Sequence, residues 1–188
     1  VVVLPRLLGP DPLPWQPVAC RVGYVGTIDH TPNRIAVAEI CAELARQRRP
    51  SELEFRLVGS PDAVGEHFAR TYPFVRYLGR LDDDQLRAEA ASWSLFLNPI
   101  LWLSRGASMK LGAGLRWGLP VLSTRSGTRG YEWGSASLQT TSDSATAFVA
   151  RALQLLASAS ALEDAQRASL DACKHAPTVS VLAARLAA

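Results

Sequence analysis

The sequence predicts an α/β domain built on a parallel β-sheet with helices on both faces. Short apolar runs, long enough for buried strands, recur along the 188 residues. Between them lie longer segments in which apolar residues return every three or four positions, as in amphipathic helices. Strands that alternate with helices at this spacing form βαβ units, in which the strands are parallel. We therefore expect a Rossmann-like, doubly wound sheet.

About six strands are expected, the last one short. They cover residues 21–26, 53–59, 74–79, 94–98, 119–123 and 137–139. Helices are expected over about 32–48, 62–70, 83–93 and 107–117, with a helical tail at 143–156, 162–174 and 179–186. Thr31 is a plausible N-cap of the first helix, because Pro32 suits the first helical position. Asp82 or Asp83 caps the third helix, which carries Leu86, Ala90 and Trp93 on one side.

The chain divides into three parts. Residues 1–20 contain five prolines, which prevent a regular helix and favour the remnant of an interdomain linker. Residues 21–175 form the Rossmann-like domain, and residues 176–188 form a C-terminal helix.

The charge and the cysteine content argue against a nucleic-acid-binding, a disulfide-bonded or a zinc-binding protein. The net charge is only +3 and the cations are scattered, so we expect no nucleic-acid partner. Cys20, Cys41 and Cys173 show no paired or metal-binding spacing, which favours a reducing cytoplasm. No apolar run approaches the length of a transmembrane segment. We expect a cytoplasmic protein, or one held peripherally at the inner membrane face through the rest of the protein.

The candidate binding site lies where the order of the strands reverses. Six strands in this rhythm give the order 3-2-1-4-5-6, with a crevice beyond strands one and four. Residues 27–31 and 99–110 would then face each other. Arg105, Ser108 and Lys110, at the start of the fourth helix, suit a phosphate or another anion. An ordinary surface turn with solvated cations is the alternative.

Further features of the sequence also bear on the type of ligand. His30 lies in the predicted crevice, where it either contacts the sugar or a phosphate of the ligand or is an ordinary surface histidine. The glycine fingerprint of dinucleotide-binding proteins and the Walker loop of ATPases are both missing. The three acids at 82–84 are explained by a capped helix start, so we expect neither a metal nor a cofactor.

Seven short motifs, taken together, carry a resemblance to a known family. They are Val25-Gly-Thr-Ile-Asp-His-Thr-Pro-Asn33, Arg56-Leu-Val-Gly59, Val75-Arg-Tyr-Leu-Gly79, Leu97-Asn-Pro99, Gly106-Ala-Ser-Met-Lys110, Gly118-Leu-Pro-Val121 and Ser123-Thr124 with Gly127-Thr-Arg-Gly130. In this order they resemble the C-terminal, nucleotide-sugar-binding domain of GT-B glycosyltransferases, especially the bacterial family-4 group. The resemblance covers residues 21 to about 175.

The resemblance implies a role for each part of the crevice. Gly26 and Thr27 would approach the donor diphosphate, Lys110 would neutralise it, and Gly106 would let the backbone come close. Arg105 and Ser108 belong to the same diphosphate site.

The nucleotide base would lie near the loop after the third strand, at Leu78, Gly79 and Arg80. The resemblance assigns no catalytic side chain to this chain. The nucleotide-sugar is a substrate, and no cofactor is implied.

The sequence also departs from the family pattern. Many relatives carry two glutamates, eight positions apart, that bind the donor sugar and the ribose. Arg105 and Ala113 occupy those positions here. Thr27 stands where a cation is common, and Ser104 stands where a glycine is expected.

We therefore interpret the chain as the donor-binding half of a glycosyltransferase of bacterial polysaccharide biosynthesis. Its missing N-terminal domain would bind a glycan or a lipid-linked acceptor, and the apolar loop around Trp102 would contact that domain. Two alternatives remain: a degenerate, non-catalytic scaffold in a polysaccharide-assembly protein, and a nucleotide-sugar epimerase.

Overall fold

The computed structural model describes residues 5–47, 50–102 and 105–187. Its strands are β1 Val18–Thr27, β2 Glu54–Ser60, β3 Val75–Tyr77, β4 Trp93–Asn98, β5 Val121–Thr124 and β6 Gln139–Thr141. Its helices are α1 Thr31–Arg46, α2 Asp62–Thr71, α3 Asp83–Ala91, α4 Met109–Arg116, α5 Ala145–Leu156, α6 Ala159–His175 and α7 Val179–Ala187. A single 3-10 turn lies at Ser126–Thr128.

The six strands form one sheet in the order β3-β2-β1-β4-β5-β6. Every neighbouring pair is parallel. The expected fold class and strand order are therefore confirmed. The order reverses between β1 and β4, so the predicted crevice lies beyond the carboxyl ends of these two strands.

The sheet has an apolar core on each face, because successive residues of a strand point to opposite sides. In β4, Leu95 and Leu97 belong to the core under α1 and α5, whereas Phe96, which lies between them, belongs to the core under α3, α4 and α6. Strands buried on both faces read as nearly continuous apolar runs, and this is why they could be located from the sequence.

Gly23 fits β1 against the neighbouring strand. The indole of Trp93 is fully buried and lies directly over Gly23. A Cβ atom at position 23 would lie 1.9 Å from Trp93 Cδ2. The pairing of β1 with β4 thus requires a residue without a side chain at this point.

Several predicted element ends were wrong, and the observed caps account for two of the errors. α1 already begins at Thr31, so its N-cap is His30, whose carbonyl accepts from the backbone N–H groups of Asn33 and Arg34 at 2.9 and 3.0 Å. α4 begins two residues later than predicted, because Ser108 caps it. Asp82 caps α3 in a capping box, as expected.

Strand ends also moved. Trp93 opens β4 instead of lying on α3. β1 begins three residues before the predicted start, at Val18, and β6 begins two residues after it, at Gln139. The predicted end of the first helix, at Arg48, lies outside the described residues.

The proline-rich segment packs on the α3 and α4 side of the domain. The structure assigns no helix or strand to residues 5–17. Leu8 and Leu13 are nevertheless buried. The indole N–H of Trp15 donates to the Trp93 carbonyl at 2.8 Å, and Arg87 binds both carboxylate oxygens of Asp11. Residues 8–15 are therefore held on the domain surface.

In the described parts of the chain, no one helix has both the length and the apolar composition to cross a membrane. One pair of helices, α5 and α6, meets the criterion only when they are taken together, and they are bent by 111°.

Candidate functional site

The loops that follow β1 and β4 meet at the reversal of strand order. Lys110, in the first turn of α4, donates from Nζ to Asn33 Oδ1 at 2.8 Å. Asn33 lies in the first turn of α1, and its Nδ2 donates to the Thr27 carbonyl at 2.8 Å. One chain of hydrogen bonds therefore joins the end of β1 to the starts of α1 and α4.

Lys110 places an ammonium group in this crevice, and a salt bridge within the described residues does not neutralise its charge. Among the described carboxylates, none forms a salt bridge with it. Burial lowers the pKa of Lys110 from its ordinary value of 10.5 to about 8, because the ammonium is partly removed from water. The ammonium form still predominates at pH 7. Its Nζ lies 5.2 Å from the centre of the Tyr24 ring, close enough for a cation–π contact.

Gly26 and Thr27 form the β1 side of the crevice. A Cβ atom on Gly26 would lie 3.4 Å from Asn33 Nδ2 and 3.5 Å from the Tyr24 hydroxyl. The Thr27 side chain is exposed, and its carbonyl holds Asn33. Burial raises the pKa of Tyr24, whose hydroxyl finds no hydrogen-bond partner among the described residues.

The described part of the loop before α4 contains an exposed cation and a glycine with open space around it. Arg105 is exposed and forms no hydrogen bond or ion pair with another described residue. Gly106 has a φ of +74°, and nothing lies within 4 Å of the position of a Cβ. Ser108 caps α4 by accepting from the Leu111 N–H, and Ser104 lies outside the described residues.

Residues 129–131 hold this loop from outside. The Arg129 guanidinium donates to the Gly106 carbonyl at 3.0 Å, and the Tyr131 hydroxyl donates to the Ser108 carbonyl at 2.7 Å. Between these contacts Gly130, with a φ of +83°, packs so closely that a Cβ would lie 2.7 Å from Ala107 Cβ. Residues 106–108 are thus held at three points.

Asn98 links the loop to the sheet from inside. This last residue of β4 is fully buried. Its Nδ2 donates to Ser123 Oγ at 2.9 Å and to the Gly127 carbonyl at 3.2 Å, and its Oδ1 accepts from Ser108 Oγ at 2.7 Å. The ends of β4 and β5 and the N-cap of α4 are therefore joined through one amide.

The residues expected near the base lie further along the same edge. The carbonyl of Gly79 accepts from the Gly59 N–H at 2.9 Å, and the N–H of Leu78 donates to the Leu57 carbonyl at 3.0 Å. Arg80 follows with an exposed side chain. In the described hydrogen bonds they are not joined to Lys110, because β2 lies between β3 and β1.

The remaining candidates make few contacts. His30 is exposed at the N-cap position of α1, and its ring forms no hydrogen bond with another described residue. Ala113 lies in α4, a helix that contains no acidic residue. No group of three or more His, Cys, Asp or Glu side chains able to hold a metal ion exists in the described parts of the chain.

Four site residues were not predicted as such: Asn33, Asn98, Arg129 and Tyr131. The two asparagines did carry a signal, because each is a polar residue next to a proline at the edge of an apolar run. Arg129 and Tyr131 act through contacts with residues 23 positions away in the chain, which no local pattern indicates.

Comparisons with known proteins bear on the family and the fold of the chain. Residues 19–158 match the family of glycosyl transferases group 1. No curated protein matches the chain significantly. TarM superposes with a TM-score of 0.73 at 15% identity, over 96% of this chain and 37% of TarM. HepE from Anabaena, solved in complex with UDP and glucose, superposes with a TM-score of 0.62 at 15% identity, over 90% of this chain and 47% of HepE.

A third structure has nearly the same extent as this chain. The C-terminal domain of LpcC, a glycosyl transferase group 1 family protein from Francisella tularensis, superposes with a TM-score of 0.63 at 12% identity, over 89% of this chain and 93% of that domain. This chain spans less than half of the length of TarM and HepE. The structural similarity shows that the fold is that of GT-B glycosyltransferases. The sequence match, which covers most of the chain, shows that it belongs to the glycosyl transferases group 1 family.

Proposed function

We propose that the chain is the donor-binding half of a glycosyltransferase and that its crevice holds the diphosphate of a nucleotide-sugar. The observation that carries this proposal is the position of Lys110 at the reversal of strand order, with its charge not neutralised by an acid. The start of α4 adds the positive end of the helix dipole. Gly106 leaves open space where an anion would approach the backbone.

This arrangement suits sugar transfer. Negative charge grows on the nucleoside diphosphate as the sugar departs, and a cation fixed beside it stabilises the transition state. Membership of the glycosyl transferases group 1 family supports this chemistry. The complex of HepE with UDP and glucose supports a nucleotide-sugar as the ligand class.

The acceptor, a glycan or a lipid-linked sugar, would bind to a separate N-terminal GT-B domain. Trp102 and Met109 flank the loop before α4 and are 57% and 65% exposed. We assign this apolar surface to the contact between domains. We further place the complete enzyme in bacterial polysaccharide biosynthesis, in the cytoplasm or peripherally at the inner membrane face. Three free cysteines support a reducing compartment.

Calorimetry with UDP, GDP and dTDP tests the proposal. We expect one of them to bind, and Lys110→Ala to weaken that binding by about tenfold or more, since a charge-assisted hydrogen bond is lost. Lys174→Ala is the matched control, because it removes an exposed lysine whose partner is Asp171 on α6. No heat with any of the three nucleotides would contradict the proposal.

A non-catalytic scaffold is the second candidate. It is favoured by Arg105 and Ala113, which stand where many relatives carry the glutamates that bind the donor. The same titrations separate the two candidates. A scaffold needs no nucleotide, so neither the wild type nor Lys110→Ala would bind one.

A further inference from the structure

Asn33 is the residue that joins the two sides of the crevice. Its side chain is almost completely buried, at 8% exposure. Both ends of its amide are in use: Nδ2 donates to the Thr27 carbonyl and Oδ1 accepts from Lys110 Nζ, each at 2.8 Å. Asn33 and Lys110 are 77 positions apart in the chain.

The two partners together fix the orientation of the amide. A carbonyl oxygen can only accept, so Nδ2 must face Thr27. An ammonium can only donate, so Oδ1 must face Lys110. An aspartate at position 33 would turn a carboxylate oxygen towards the Thr27 carbonyl, and alanine would reach neither partner.

A neutral acceptor also leaves the charge of Lys110 available. A carboxylate at this distance would form an ion pair, favour the charged lysine and cancel its field. An ammonium has three donors, and Asn33 uses one of them. The centre of the Tyr24 ring lies 5.2 Å from the ammonium nitrogen.

We propose that Asn33 is a positioning residue that holds the Lys110 ammonium between the two loops without neutralising it, so that the charge is aimed at an anion in the crevice. The identity of that anion as a donor diphosphate rests on the proposed function above. Asn33 itself does not have to touch the ligand. Its effect is to fix a flexible side chain before the ligand arrives, which lowers the cost of ordering that side chain on binding.

The chain offers a clean probe, because Lys110 and Lys174 are its only lysines. A Lys174→Arg background leaves Lys110 as the single lysine. Its ε-methylene signals can then be followed by NMR in protein labelled with 13C-lysine, with no ligand present. The titratable side chain recorded in contact with Lys110 is the Tyr24 phenol from β1, whose pKa is raised by burial, so it stays neutral over the range of the titration.

In this background we expect Asn33→Asp to raise the pKa of Lys110 by about 1 to 3 units. It should weaken binding of UDP and of inorganic pyrophosphate by about tenfold at pH 7, as expected for loss of one charge-assisted interaction. In Asn33→Ala, the two ε-methylene protons of Lys110 should have nearly equal chemical shifts, as in a mobile lysine. The same change should also weaken binding of UDP and of pyrophosphate. Glu39→Gln, an exposed change on the same helix, is the control and should alter neither measurement.

An unchanged pKa of Lys110 in Asn33→Asp, together with unchanged ε-proton shifts in Asn33→Ala, would overturn the positioning role. The Asn33→Ala measurement decides the question if Asn33→Asp fails to fold. The lysine signals are read without nucleotide, so they separate the two proposals. The expected changes in these signals, with no binding of UDP by the wild type, would support the positioning role and contradict the diphosphate assignment.

Discussion

Replacement of Asn98 by alanine should destabilise the domain strongly. The side chain is fully buried at the end of β4, where it makes three hydrogen bonds, to Ser123, Gly127 and Ser108. Each such bond contributes about 1 kcal/mol to stability, and a buried group left without a partner costs about 1–3 kcal/mol. Ser123 Oγ retains a bond to the Thr124 carbonyl at 3.0 Å, whereas the Gly127 carbonyl and Ser108 lose a partner.

The expected loss is therefore about 3–5 kcal/mol of the free energy of unfolding, out of a total of about 5–15 kcal/mol for a typical domain. Urea unfolding followed by tryptophan fluorescence measures it, since Trp93 is completely buried and will report the transition. Gln154→Ala is the matched control, because the recorded partner of this exposed amide among the described residues is Arg151 on the same helix. A loss below about 1 kcal/mol would show that Asn98 does not link the loop to the sheet in solution.

Three further predictions follow from buried residues. Gly23→Ala should lower the free energy of unfolding by more than about 3 kcal/mol or prevent folding, because its Cβ would overlap the Trp93 indole. A melting temperature equal to that of the wild type would refute the close approach of β1 to Trp93. Tyr24→Phe should be neutral or slightly stabilising in urea unfolding, because its hydroxyl has no described partner, and a loss above about 1 kcal/mol would reveal one. The folded pKa of Lys110 is lowered from 10.5 to about 8, so between these values the unfolded chain binds more protons and stability rises with pH. Lys110→Met has the same other titrating groups as the wild type. The free energy of unfolding of the wild type minus that of Lys110→Met should therefore increase by up to about 3 kcal/mol between pH 7 and 10.5. A difference that does not change with pH would contradict the burial of this amine.

The sequence was sufficient for the sheet because its strands are buried on both faces. Their apolar runs are continuous, and the helices between them leave one economical order of parallel strands. The ends of elements were harder to predict, since they depend on a single hydrogen bond. Thr31 and Ser108 are both acceptable N-caps by residue type, yet only Ser108 serves as one.

The site could be located from topology but not completed. Lys110 was identified because it lies at a helix start beside the reversal of strand order. The role of Asn33 depends on two partners, one of them 77 positions away, and neither partner is specified by its neighbours in the chain. Tyr131 reaches Ser108 only because residues 129–131 fold back over the loop. Pairwise contacts of this kind arise from packing, which a local pattern does not encode.

Because Lys110 is partly buried, the thermal stability of the domain should respond to a ligand that binds beside it. The folded domain without a ligand already bears the cost of drawing an ammonium out of water, and an anion that fits beside it offsets that cost. Any such compound binds the native state alone and raises the melting temperature, by an amount that grows with the logarithm of the ratio of its concentration to its Kd. The shift in melting temperature can therefore be used to rank phosphates, diphosphates and nucleotide-sugars as candidate donors before any acceptor or product is known.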